Sequence, residues 1–353
     1  MRTQVQVRRP EEPQSPGPEQ PVVPRKHPLD GVKTGAFGDK VFRVLVLLCA
    51  LSILVLVLLV LQQLVGRSQL SMGQFGLKFF TKQEWDPVAG DFGALPFIYG
   101  TLVSSFLALL MAVPLGIGTA VFLTDICPRR IRGIIAWLVE LLAAIPSVIY
   151  GLWGIFVLVP ILRTYVLPGL AKIFSFLDNP SLPFKSMGLG GFFSGPIYGV
   201  GMLPASIILA IMVIPFISSI TREVIETVPI AQREAALALG ATRWEMLRIG
   251  VLRNARTGIF GAIILALGRA IGETMAVTML IGNRPEIAKS LFAPGYTMAS
   301  VIANEFSEAT SDLYLSALIE IGLVLLLVTL VVNMVAQFMI WSITRGTKAG
   351  AHA

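Results

Sequence analysis

Two side chains draw notice because of the company they keep. Arg269 and Glu273 lie four residues apart inside an apolar run from Gly258 to Asn283, a spacing that puts both on one face of a single helix, where they can neutralise each other. One ionised side chain at the centre of a membrane helix costs about 2.5 to 3.5 kcal/mol on insertion scales, so an idle pair would burden folding. Lining a polar pathway gives both a use. A guanidinium presents a planar fork of donors suited to oxyanions, and a carboxylate either holds that fork or accepts a hydrogen from a protonated anion. Ser147, Tyr150 and Thr274 add hydroxyl donors within apolar runs, although hydroxyls in such places often bond their own backbone. Packing between spans is the competing use of the charged pair.

A second constellation lies in the polar stretch from Thr221 to Thr257. Ile230 to Leu239 has helical character, with Ala231, Ala235 and Ala238 at i, i+4 and i+7. That strip of small side chains lets another surface approach closely. Gly240 suits the left-handed position after a helix. Thr242 and Glu245 have the spacing of a capping box, which satisfies the orphan amides of a second short helix. Arg243 and Trp244 fall in its first turn, and Trp244 is placed to act as an exposed anchor. The expectation is two short helices meeting at a turn, an elbow of small and anchoring residues.

The elements that must hold these residues are membrane helices. Of 353 residues 55% are hydrophobic and 14% charged, against about 25% charged in a soluble domain, and the mean hydropathy is +0.77. Six apolar stretches are long enough to span: Val44 to Val65, Leu95 to Thr124, Ile134 to Leu162, Val200 to Ile220, Gly258 to Asn283 and Leu313 to Thr344. About twenty residues cross the hydrocarbon, so the longest must tilt or kink, with Pro114, Pro146 and Pro160 as kink points. The class is an all-α polytopic membrane protein of six transmembrane helices. Secreted, fibrous and disordered classes are excluded. The organisation read from composition is a flexible tail over 1–40, the first transmembrane helix and its loop over 41–94, a core over 95–345 containing the polar loop 221–257, and a short tail over 346–353.

Lys and Arg number 19 on the side that holds the two tails and the elbow, against 8 on the other, with Arg269 completing the 28. This asymmetry places both termini in the cytoplasm. No basic patch is interleaved with aromatics, so nucleic acid is not an expected partner. The first apolar run starts too late for a signal peptide, so the tail is expected to stay on the mature protein. Cys49 falls in an apolar run and Cys127 in a short basic turn, so no disulfide framework is expected, and with the two histidines, His27 and His352, in the tails there are too few ligands for a Cys/His metal site. Glu140 and Glu320 are nearer to span ends, where interfacial water is the simplest account, and Gly268 with Gly272 makes a GxxxG step suited to close helix contact.

Residue identities sharpen the elbow. Glu234-Ala235-Ala236 followed by Gly240 resembles the EAA loop of ABC importer permeases, the element such permeases dock into a groove on their ATPase subunits. The match departs from the family pattern at Gly250, where an Ile is usual, and at Arg253, where a Pro is usual. The run Leu267 to Asn283, LGRAIGETMAVTMLIGN, together with IPSVIYGLWG over 145–154, Tyr198 to Met202 and Thr221 to Val224, is similar to phosphate-importer permeases of the PstC type. The resemblance covers roughly residues 40 to 345. It implies a type I ABC importer permease fold in a bacterial inner membrane and a non-catalytic subunit without a cofactor of its own. It also implies a complex with a related second permease, two ATPase subunits holding ATP and Mg, and an external phosphate-binding protein.

No G-x-x-x-x-G-K-[ST] occurs in the chain, so it lacks a phosphate-cradling P-loop of its own. The alternative reading is a single-chain secondary anion transporter or channel built on Arg269 and Glu273. Such carriers often show internal repeats, and no convincing repeat relates the two halves.

Overall fold

The computed structural model describes residues 35–177, 192–193 and 195–348. Most of the N-terminal tail and the last residues of the chain, with His27 and His352, lie outside the described residues. Within them the first helix, α1 (Gly35–Arg67), is apolar along most of its length. Of the described residues, those up to Leu59 belong to one compact unit, and those from Val60 onward belong to another that contains every later helix.

After α2 (Gln69–Phe75) and a short 3-10 turn, a two-residue antiparallel ribbon, β1 (Trp85–Asp86) with β2 (Asp91–Phe92), leads into α3 (Leu95–Val121). This helix continues through a wide, π-type turn over Phe122–Ile126. The chain then forms α4 (Arg129–Ala144), α5 (Ser147–Trp153), α6 (Val159–Ile161) and α7 (Leu167–Leu177), the last three joined by wide turns into one rod. Next come α8 (Met202–Glu226), α9 (Ile230–Ala238), α10 (Arg243–Glu245) and α11 (Arg253–Ile271). The chain ends with α12 (Met275–Ile281), α13 (Met298–Glu305) and α14 (Asp312–Lys348). Among the described residues, six segments are long and apolar enough to cross a membrane.

Two of the six differ from the sequence expectation. The run Ile134 to Leu162 is not one span: Ile145 and Pro146 are extended, with ψ of 130° and 140°, because a proline disfavours helical backbone in the residue before it. The crossing segment is therefore Ser147–Phe174, and α4 stands apart from it. The fifth crossing segment is Arg243–Ile271 rather than Gly258 to Asn283. Its helix stops at Gly272, a residue of poor helix propensity, and resumes only at Met275.

The core is a seam between α3 and α8. Ala108, Ala112, Gly116 and Ala120 repeat every fourth residue of α3, all buried. This row of small side chains admits Ile208, Leu209, Met212, Val213 and Ile217 of α8, the close approach that membrane helices rely on when apolar transfer from water is absent. At the start of α8, the N–H groups of Gly201, Met202 and Leu203 have no intrahelical acceptor. They donate to the carbonyls of Leu280, Ala293 and Leu291 at 2.8, 3.1 and 2.9 Å, which matters where lipid offers no partner.

A second core caps the end of the bundle where α3 begins. Phe79, Phe92, Phe97, Tyr296 and Tyr314 are buried there, with the Phe92 and Tyr314 rings stacked 5.4 Å apart. Glu305 accepts from Trp85 Nε1 at 2.8 Å and from the Tyr314 hydroxyl at 2.7 Å. A Cβ at Gly100 would collide with the carbonyl oxygen of Tyr296, so only glycine lets α3 pass this segment.

Candidate functional site

Local sequence builds the elbow much as expected. Helix α9 ends at Ala238 and Gly240 takes φ +85°, the left-handed value that a Cβ disfavours. The capping box is formed in full: Glu245 N–H donates to Thr242 Oγ1 at 3.3 Å, and Thr242 N–H donates to Glu245 Oε2 at 2.8 Å. Glu234, Ala235, Gly240, Thr242, Arg243, Trp244 and Glu245 are all exposed, with Trp244 at 64%. Ala236 is different. It turns inward against a small apolar cluster of Ile225, Val228, Met246, Leu247 and Val251.

The second helix of the elbow is not a separate short one. Arg243–Glu245 runs through a wide turn over Met246–Leu252 directly into α11, so the elbow is confined to the residues between α8 and Arg243. The capping box thus starts a rod that ends at Arg269 and Ile271.

Arg269 and Glu273 part company at the far end of that rod. The helix break at Gly272 removes the common face, and among the described residues no ion pair joins the two. Arg269 is exposed, its guanidinium 6.0 Å from the centre of the Phe216 ring on α8, a cation–π distance. Glu273 is half-buried and accepts from the Ala276 N–H at 3.4 Å in the first turn of α12. Thr274, also half-buried, donates to the Gly272 carbonyl at 3.3 Å. Ser147 is half-buried at the start of α5, and the buried Tyr150 donates to the Leu142 carbonyl at 2.7 Å. Helix α5 lies against α12, with Gly151 facing Ala276 and Met279. Ser147 and Tyr150 are thus on the helix that packs against α12, which Thr274 precedes, and Thr274 and Tyr150 satisfy local carbonyls.

Among the described residues, one stripe of α11 is left largely open. A Cβ added at Gly261 or Gly268 would meet nothing within 4 Å, and Leu265, Arg269 and Gly272 on the same stripe are exposed. Among the described residues, Gly268 and Gly272 meet no other helix, so the close contact expected of this step is not made within them.

Sequence reasoning also missed partners distant along the chain. Glu140 is paired with Arg222 at 2.7 Å rather than simply solvated. Glu320 is 2% exposed, so interfacial water does not account for it. Asp125 is paired with Arg233. Only the acid and base residues themselves were visible in the sequence, with nothing to say which would meet.

Among the described residues, six helical segments long and apolar enough to cross a membrane, an α3–α8 seam, and a helical elbow between the fourth and fifth of those segments define a polytopic permease-like membrane protein. The family model for the binding-protein-dependent transport system inner membrane component matches residues 112–346, and the chain belongs to that family. Among its relatives, the phosphate transport system permease protein PstC of Mesorhizobium japonicum is 47% identical over 318 residues, covering 90% of this chain and 94% of its own. The PstC protein of Haemophilus influenzae is 43% identical over 303 residues, covering 86% and 93%. A solved bacterial ABC transporter involved in the import of the acidic polysaccharide alginate shares the fold, with a TM-score of 0.54 and 20% identity over 87% of this chain and 99% of that one.

Proposed function

We propose that the chain is the permease subunit of an ATP-driven importer of inorganic phosphate, non-catalytic itself and forming half of the translocation pathway. The carrying observation is the rod from Thr242 to Ile271, with an exposed elbow at its root and an exposed arginine at its other end. The names of the relatives supply the cargo. In this reading a homologous second permease covers the open stripe of Gly261, Leu265, Gly268, Arg269 and Gly272, and the pathway runs between the two. Arg269 offers its fork of donors to the passing anion. Ser147, Tyr150, Glu273 and Thr274 line the approach.

Energy comes from a dimer of ATPase subunits, which hold ATP and Mg, docked on Glu234, Ala235, Gly240 and the Thr242 to Glu245 turn. Ala236 belongs to the same motif but anchors the elbow from within. Closure of the ATPase pair displaces the elbow, and the rod tilts as one body to switch access from one side to the other. An external phosphate-binding protein delivers the anion. In this reading the chain sits in a bacterial inner membrane with both termini and the elbow cytoplasmic, an orientation that the charge asymmetry supports.

The test is uptake of labelled phosphate into proteoliposomes containing the full complex, with sulfate and molybdate as competitors. ATP-dependent uptake that excess phosphate abolishes and the other two anions leave in place supports the reading. Uptake by this chain alone, driven by an ion gradient, overturns it in favour of a secondary transporter or channel.

A further inference from the structure

We propose that Asp125 and Arg233 form a latch fixing the elbow to the end of α3, so that force applied at α9 moves the helix bundle instead of bending the elbow alone. The inference rests on the importer reading and adds two positioning residues to it. Arg233 precedes the docking motif by one residue yet faces the opposite way. Its side chain is 19% exposed and that of Asp125 is 10% exposed, whereas Glu234 and Ala235 are on the open side of the same helix.

The bonds around the pair reach three elements. One terminal nitrogen of Arg233 pairs with Asp125 Oδ1, in the wide turn that ends α3. The other donates to the Ile225 carbonyl at 3.1 Å, in the last turn of α8. Thr124 Oγ1 donates to Asp125 Oδ2 at 2.8 Å, holding the carboxylate from its other side. On the adjoining residue, Gln232 Oε1 accepts from Asn254 Nδ2 at 2.7 Å, which ties α9 to α11. A helix of nine residues is thus clamped to the ends of three long ones.

Chemistry favours positioning over stability. A shielded ion pair adds little net stability compared with a well-packed apolar pair, but it tolerates few geometries, because removing either partner strands the other. The forked guanidinium defines direction as well as distance. An elbow held only by the apolar contacts of Ala236 could slide against α3 and α8; one held by Arg233 cannot do so without breaking a charged contact.

The test uses the complete complex in proteoliposomes and reads ATP hydrolysed per phosphate imported. Asp125→Asn and Arg233→Gln are expected to assemble and hydrolyse ATP while spending roughly tenfold more of it per phosphate. The double variant should be no worse than either single one, since both remove the same contact. Arg233→Lys, which keeps the charge and loses the fork, should lie between. An unchanged ratio, additive single effects, or failure of both single variants to assemble overturns the proposal, the last outcome assigning the pair to folding.

A second readout separates the latch from the cargo. With Cys49→Ser and Cys127→Ser, spin labels at Ile126 and Leu239 should keep one distance with and without nucleotide, and Arg233→Gln should broaden it. A distance that shifts with nucleotide in the otherwise unaltered complex contradicts the latch. If labelled phosphate is not imported but the distances behave as stated, the cargo assignment fails and the latch stands.

Discussion

In the proposed reading, anion transfer turns on Arg269. Its guanidinium is exposed, leans toward Phe216 and is free of an ion pair with Glu273, so removing its charge should disturb the pathway more than the fold. Arg269→Gln is expected to lower phosphate uptake at least about tenfold, the loss of a charge-assisted contact of roughly 1.5 kcal/mol or more, while the complex still co-purifies and hydrolyses ATP. Unchanged uptake would move Arg269 to a packing role. Before α3, Lys82 pairs with Asp91 of the ribbon. The hydrogen bond from Lys82 holds the Asp91 carboxyl below its ordinary value, and the hydrogen bond to Asp91 raises Lys82 above its own. Asp91's share of stability is present above the unfolded carboxyl pKa and disappears as pH falls through the lower folded value. Uptake should therefore be no more acid-sensitive in wild type than in Asp91→Asn between neutral and mildly acidic pH; a gap opening over that range would contradict this sign.

What the sequence disclosed about single residues was local. Gly240 and the Thr242–Glu245 box were legible because a capping signal is complete within four residues. The meeting of Asp125 with Arg233 was not, because 108 positions separate them and nothing but the fold brings them together.

Among the elements, the α3–α8 seam and the elbow make opposite demands. The seam depends on small residues at every fourth position, so Ala112→Leu should overpack it and cost about 1 to 3 kcal/mol, seen as a lower midpoint of thermal unfolding in detergent. An unchanged midpoint would mean that α8 does not sit as close as the burial of Ala112 indicates. The elbow depends on an open face. Ala235→Glu places a charge on an exposed helix position and should abolish co-purification of the ATPase subunits without affecting membrane insertion; normal co-purification would put docking elsewhere. Hydropathy found the six crossing segments but misplaced two. It measures apolar length and is blind to a short interruption, and the breaks at Ile145–Pro146 and at Gly272 each occupy only a few residues. That blindness is what made Arg269 and Glu273 look like neighbours on one helix.

Taken whole, the chain is half of a machine. Among the described residues its α11 stripe is largely open and its elbow presents an exposed face, and its sequence carries no nucleotide-binding loop of its own. The six-helix plan was legible in composition, since insertion reads apolar length. The open stripe was not, because an unpartnered face is a property of the assembled helices.

If ATP hydrolysed by partner subunits drives phosphate across the membrane through the elbow at Gly240, then uptake must depend on both the nucleotide and the turn. The deciding quantity is the initial rate of labelled phosphate uptake into proteoliposomes holding the full complex, with and without ATP, for the unaltered chain and for Gly240→Arg. ATP-dependent uptake is expected with the unaltered chain and none with the variant, although the variant inserts normally. Equal uptake by the two, or uptake that proceeds without ATP, would contradict this coupling.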